Sequence, residues 1–301
     1  MEDFEKRLNE VRELFDEGFR DPNKYVYHYT PRETVIEKIL PKLRLKFGEY
    51  SKLNDPLEYK DFNFGLQHET GTQIENASEI TKAYSNGIKA DCRIICVSKD
   101  LPVREIPDYC FTDPQYNISC VPGADHLSRG YGHPRMWAQY ASSHDGVCLM
   151  FDRNSLHKDI FDICKKIGAI ICGSVQYSNA QEMEGEEHIF NIEYEEIFMQ
   201  NLPDVIDAFI RKHYKRLYFR KTLDWFSEFE YRWVIRGRSN DDIYVPIKNS
   251  LKAIIVGDKF PPVYLSTIRP ICDANNVLIV HCHWHNGLPS LFPYYEIKTE
   301  D

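Results

Sequence analysis

The chain has 301 residues, 43% of them hydrophobic and 28% charged, with 19 Tyr and 17 Phe, so it is long enough and apolar enough to bury a substantial core. Its net charge of -9 argues against broad, nonspecific affinity for nucleic acid or anionic membrane, although a local basic groove stays open. Nine cysteines without a repeating spacing, a charged N-terminus and no apolar run of about 20 residues together read as a soluble protein of a reducing, cytoplasmic setting.

The first segment, residues 4 to 19, spaces Phe4, Leu8, Val11, Leu14, Phe15 and Phe19 as one face of an amphipathic helix. Residues 1–24 are expected to pack on a body that spans 25–301 as a single domain. "DPNK" breaks the helix, and Tyr25 to Tyr29 reads as a strand. Thr30, Pro31 and Glu33 spell a capping box that opens a helix with Val35, Ile36, Ile39 and Leu40 on its apolar face. Pro41 ends that helix, and "LRLKF" is a short strand. "SKLNDPLEY" is a polar turn in which Asn54 and Asp55 bond the local backbone and Pro56 fixes the bend; the loop could also shape a pocket rim.

Residues 66 to 91 read as helix plus loop and "CRIICVSK" as a strand. Residues 100 to 132 form a long loop of the kind that carries function. "PRMWAQYA" is helical, with Trp137 and Tyr140 three apart on one face. "SSHDG" turns and "VCLMFD" is a buried strand. The stretch from 180 to 224 is largely helical. "FEYRWVIRG", "IYVPI", "LKAIIVGD" and "NVLIVHCHW" are strands, with a helix between the last two. Strands and helices mix irregularly, which defines an α+β fold.

Phosphate-loop, dinucleotide-fingerprint, zinc-protease and hydrolase-elbow motifs are absent from the sequence. His281, His283 and His285 share one face of a strand, but a tight zinc site gathers ligands from several directions, so no metal is expected. His28 ends a strand two residues before a helix N-terminus. That is a place for a ribose or diphosphate, or equally for a half-buried histidine bonded to backbone. Glu228, Glu230 and Arg232 alternate onto one strand face, where they form either a carboxylate site or a surface ion-pair ladder. Lys221 and Trp225, four apart, are placed for a cation–π contact.

Three segments in this order, "YVYHYT…IL…LRLKFGEYSKLNDPLEY", "RMWAQYASSHDGVCLMFD" and "KTLDWFSEFEYRWVI", resemble the bacterial DUF2971 family of uncharacterised proteins. More distantly, the "HYT" strand feeding a helix and the late "E-x-E-x-R" strand resemble the ADP-ribosyltransferase superfamily. That resemblance implies a split pair of small β-sheets with surrounding helices and NAD bound between them as substrate. His28 would contact the adenosine-side ribose. Glu230 would act as catalytic carboxylate at the nicotinamide ribose, assisted by Glu228. Tyr29, Thr30 and Tyr140 would form the pocket wall. The implied activity is ADP-ribose transfer, to a macromolecule (nucleic acid only as acceptor), or NAD hydrolysis, in the setting of bacterial or antiviral defence. The alternatives are a noncatalytic binding or regulatory module of the same fold and a nuclease using the same carboxylates.

Overall fold

The structure is a computed structural model that describes residues 2–67, 74, 76–89, 92–101, 126–198, 201–237 and 242–294. Much of the long 100–132 loop, and residues 68–73, 75, 90 and 91 of the 66–91 stretch, lie outside these residues.

In chain order the strands are β1 (Tyr25–Thr30), β2 (Arg44–Lys46), β3 (Gly48–Glu49), β4 (Gly65–Gln67), β5 (Cys92–Lys99), β6 (Val147–Asp152), β7 (Ala169–Ser174), β8 (Gln176–Ser178), β9 (Asn191–Glu193), β10 (Arg220–Thr222), β11 (Glu230–Arg236), β12 (Tyr244–Pro246), β13 (Leu251–Val256), β14 (Leu278–His285) and β15 (Leu288–Pro293). The helices are α1 (Glu2–Arg20), α2 (Arg32–Thr34), α3 (Pro56–Tyr59), α4 (Ala77–Lys89), α5 (Pro134–Tyr140), α6 (Arg153–Ile167), α7 (Ala180–Gly185), α8 (Tyr194–Phe198), α9 (Leu202–Tyr218) and α10 (Leu265–Ala274), with several single turns between them. The α+β mixture is as the sequence indicates.

The strands gather differently from a split pair of small sheets. One nine-stranded sheet runs β15-β14-β13-β6-β1-β5-β11-β7, with β3 also on β5, and three two-stranded ribbons stand apart from it. The physical reason is β5. Its one edge pairs with β11 through seven successive positions, from Glu230↔Ser98 to Arg236↔Cys92. Its other edge is shared: β3 takes Arg93 and Ile94, and β1 takes only Ser98 and Lys99. β1, by contrast, pairs with β6 over its whole length. The two halves of the sheet are therefore joined by two residue pairs, Val26↔Lys99 and Tyr27↔Ser98, and part beyond them.

Alternation buries both faces. Val26, Ile95, Val97, Leu149, Phe151, Tyr231, Trp233 and Ile254 belong to one core that covers one face of both halves. On the other face each half has its own core. Tyr25, Tyr27, Tyr29, Cys148 and Met150 pack with Val11 and Phe15 of α1. Cys92, Ile94 and Val234 pack with Ile206, Ile210 and Tyr218. Cys282 is buried, as the alternation of its strand predicts. No helix among the described residues is long and apolar enough to cross a membrane.

The capping box is not formed. Thr30 is the last residue of β1, paired with Val147, so its backbone belongs to the ladder. Pro31 occupies the N-cap with no side-chain bond, and Arg32 Nη2 takes the Glu33 carboxylate at 2.6 Å. The helix continues as a π-type turn, Val35–Ile39, and ends after Pro41 where Leu43 turns left-handed (φ 43°).

Candidate functional site

Where β1 and β5 part, a cavity of about 210 Å³ opens. Its walls hold His28, Tyr29, Tyr140, Glu228 and Glu230, five of the six residues singled out from the sequence. The sixth, Thr30, is buried in the ladder with β6 and does not line it. Tyr27 and Tyr29 alternate with His28 along β1, and all three line the slot.

The gap in pairing along β5 explains His28. Between the positions taken by β3 and β1, the Cys96 carbonyl has no strand to meet, and a buried carbonyl needs a donor. His28 Nδ1 lies 3.0 Å from that oxygen and supplies it. A carbonyl only accepts, so Nδ1 carries the proton. Burial lowers the His28 pKa, so the ring is neutral and Nε2 is left as an acceptor. Tyr29, the next residue of β1, is fixed by a hydrogen bond from its hydroxyl to the Gly130 carbonyl (2.8 Å) and by an edge-on contact with Trp137 (5.2 Å).

The carboxylates stand differently from a simple strand face. β11 begins at Glu230. Glu228 ends a 3-10 turn (Leu223–Glu228), and Phe229 between them is left-handed (φ 46°). The two carboxylates still meet, because Lys221 on β10 bridges them: its Nζ is 2.7 Å from Glu228 Oε2 and 3.0 Å from Glu230 Oε2. Glu230 and Arg232 do share a face, and Arg232 grips Glu230 in fork geometry at 2.6 and 2.9 Å while its Nη1 donates to the Tyr218 carbonyl at 2.7 Å. The Tyr140 hydroxyl donates to Glu228 Oε1 at 2.7 Å. All four residues of the expected surface ladder or its partners, Lys221, Glu228, Glu230 and Arg232, are buried.

A fifth member was not anticipated. Glu58, buried on the short helix α3, pairs with Arg232 Nη2 through Oε1 and also lines the cavity. Its helix is set by Asp55, whose Oδ1 caps the Leu57 amide at 2.9 Å. Thus "NDP" makes the turn the sequence predicts, and the turn carries a carboxylate into the site.

Three carboxylates and two cations out of water set three different proton affinities. Burial opposes the charge on Glu230, but Arg232 and Lys221 overcome it and hold the carboxyl down at about 2. Burial raises Glu228, with Glu230 adding to the rise and Lys221 and Tyr140 opposing it. Burial also pushes Glu58 up to about 7 against the pull of Arg232 and Lys221. Lys221 is the reverse case: burial works against its charge, yet Glu230, Glu58 and Glu228 hold its pKa above the ordinary range.

Lys221 also stands 4.9 Å from the centre of the Trp225 ring, the expected cation–π contact. Beyond α3 and the Thr222–Trp225 turn a larger hollow of about 1090 Å³ begins, lined by Asp55, Arg135, Arg216, Asp224 and Trp225 among others. On β14, next to the edge strand β15, His283 bonds Asp258 at 2.6 Å, with His281 3.9 Å from the same oxygen. No group of three or more His, Cys, Asp or Glu side chains among the described residues is arranged to hold a metal ion.

Fold and site together define an α+β protein with a partly ionised cavity at a break in its main sheet. Residues 136–233 match the family model of DUF2971, described as a protein of unknown function. The match includes Tyr140, Lys221, Glu228, Glu230 and Arg232 and leaves out His28 and Glu58. No curated protein and no solved structure matches the chain, so the distant ADP-ribosyltransferase resemblance gains nothing from these comparisons.

Proposed function

We propose that the slot between β1 and β5 binds NAD or a related nucleotide, and that the protein transfers ADP-ribose or hydrolyses NAD. The observation that carries this reading is that His28, from the first strand, and Glu228 and Glu230, from the start of a late strand, line one cavity. A volume of about 210 Å³ is below the usual 300 Å³ or more of a whole-ligand pocket, so the reading seats one end of the dinucleotide there and the rest outside.

The two carboxylates take different roles because their environments push their pKa values apart. Glu230, held ionised, places fixed negative charge where an oxocarbenium-like centre would form as nicotinamide leaves. Glu228, with its raised pKa, is the group suited to accept a proton from water or from an acceptor nucleophile. His28 Nε2 is a neutral acceptor for a ribose hydroxyl. On this reading an acceptor would occupy the hollow lined by Arg135 and Trp225. The test is incubation with NAD, followed by mass analysis for nicotinamide, ADP-ribose and modified macromolecule; no binding and no product would sink the reading.

One observation favours the noncatalytic alternative. Both oxygens of Glu228 and of Glu230 are already engaged by Tyr140, Lys221 and Arg232, as in a cluster that serves to hold the fold. NAD binding without turnover would select it.

A further inference from the structure

The cluster at the cavity has an uneven count of ion pairs: among the described residues Glu58, Glu228 and Glu230 are paired within 4.0 Å with Lys221 and Arg232, and Lys89 acts on Glu58 from farther away. One charge must be neutralised by a proton or by something that enters. Glu228 and Glu230 each accept hydrogen bonds at both oxygens, from Tyr140 and Lys221 and from Arg232, and such bonds favour the ionised form. Glu58 is ion-paired with Arg232 through Oε1, and that buried oxygen has no hydrogen bond of good geometry among the described residues. It is the place for the proton. The groups that face it are Arg232 and Glu230 from β11, Lys221 from β10, Cys96 from β5, Tyr50 from the turn after β3 and Lys89 from α4.

A second feature of the same cavity calls for a ligand. Ser98, 1% exposed, lies on its wall with a hydroxyl that has no hydrogen-bond partner among the described residues. A buried hydroxyl left in this state is costly, and a polar group on an entering molecule would relieve it. The remaining lining includes Tyr27, Tyr29, Tyr140 and Met136, surfaces that favour a flat cation over a hydrated one.

We infer that the slot takes a flat aromatic monocation carrying a hydrogen-bonding substituent, and that its entry expels one proton from Glu58 to solvent. The ligand's charge replaces the proton's, so the cluster stays neutral in both states. This rests on the cavity being a ligand site, as proposed above, but not on NAD being the ligand.

The probe is 1-methylnicotinamide, a flat monocation, set against neutral nicotinamide, by calorimetric titration in two buffers of different ionisation enthalpy. The cation should bind at least tenfold more tightly. Near pH 6 it should release close to one proton, and its affinity should climb towards about tenfold per pH unit while Glu58 is protonated. Glu58→Gln should bind it more weakly, with no proton release and no pH dependence. Ser98→Ala should bind several-fold more weakly with the release intact, which keeps the inference testable if Glu58→Gln does not fold. Equal affinity for the two rings, no binding of either, or proton release that survives in folded Glu58→Gln overturns the inference. Cation binding with proton release but without NAD binding keeps it and removes the NAD reading; NAD binding without release or preference does the reverse.

Discussion

His28 donates from Nδ1 to the Cys96 carbonyl at 3.0 Å, across the point where two strands of one sheet stop pairing. A side chain thus completes a ladder that the backbone leaves open, and its second nitrogen is free for a ligand. His28→Ala removes both functions. NAD binding should weaken more than the rate of the bound complex falls, because the role is positioning. Titration of NAD against single-turnover nicotinamide release separates the two, and unchanged affinity would take His28 out of the site.

Glu230→Gln should lower nicotinamide release by about 10²–10³. Because Glu230 also neutralises buried Arg232, the same change should lower the melting temperature by more than the loss of a surface ion pair would. Rates must therefore be compared at a temperature where both proteins are folded. Equal rates there would leave Glu230 with a structural role only.

Lys221→Met and Arg232→Met each leave buried carboxylates without a counter-charge. A loss of about 3–5 kcal/mol in unfolding free energy is expected for either, by chemical denaturation. A loss under 1 kcal/mol would mean that water reaches the cluster.

Tyr140→Phe deletes a hydrogen bond that holds the Glu228 pKa down. With Glu228 as the base, the acid limb of the rate profile should move to higher pH, with little change at the plateau. A profile that stays in place would exclude Glu228 as the titrating group.

The two oppositely shifted carboxyls give stability a maximum in pH. Glu230 has its pKa lowered from 4.5 to about 2 on folding, so its contribution is full above pH 4.5 and is lost as pH falls towards 2. Glu58 has its pKa raised from 4.5 to about 7, so the folded state binds the extra proton and stability declines as pH rises from 4.5 through 7. Glu58→Gln should make the upper slope shallower without abolishing it, because burial also pushes Asp100 up to about 7, and should leave the lower one. Denaturation midpoints across pH 3 to 8 read both.

Much of this was open to periodicity. The amphipathic α1, strands β1, β5, β6, β11 and β13, and the pairing of Glu230 with Arg232 all follow from spacings of two or of three and four. His28 stood out because it lies at a strand–helix seam. The capping box misled, since Thr30 was already committed to a ladder with a strand more than a hundred residues away. Lys221 was matched to Trp225, which is right, but its bridge to two glutamates depends on how β10 meets β11 in space. Glu58 was invisible for the same reason: "NDPLE" announces a turn, not what the turn will face. One signal was overlooked. "HNGL" is an Asn-Gly hairpin, and Asn286 and Gly287 (φ 51° and 81°) turn β14 into β15 as that dipeptide dictates.

The junction of the sheet has a mechanical consequence. Two residue pairs join its halves, and one core runs beneath both while the opposite face is divided. Such a body bends about the undivided side, like a book about its spine. The width of the slot is then a property of the angle between the halves, and is open to change by packing far from any residue that lines it.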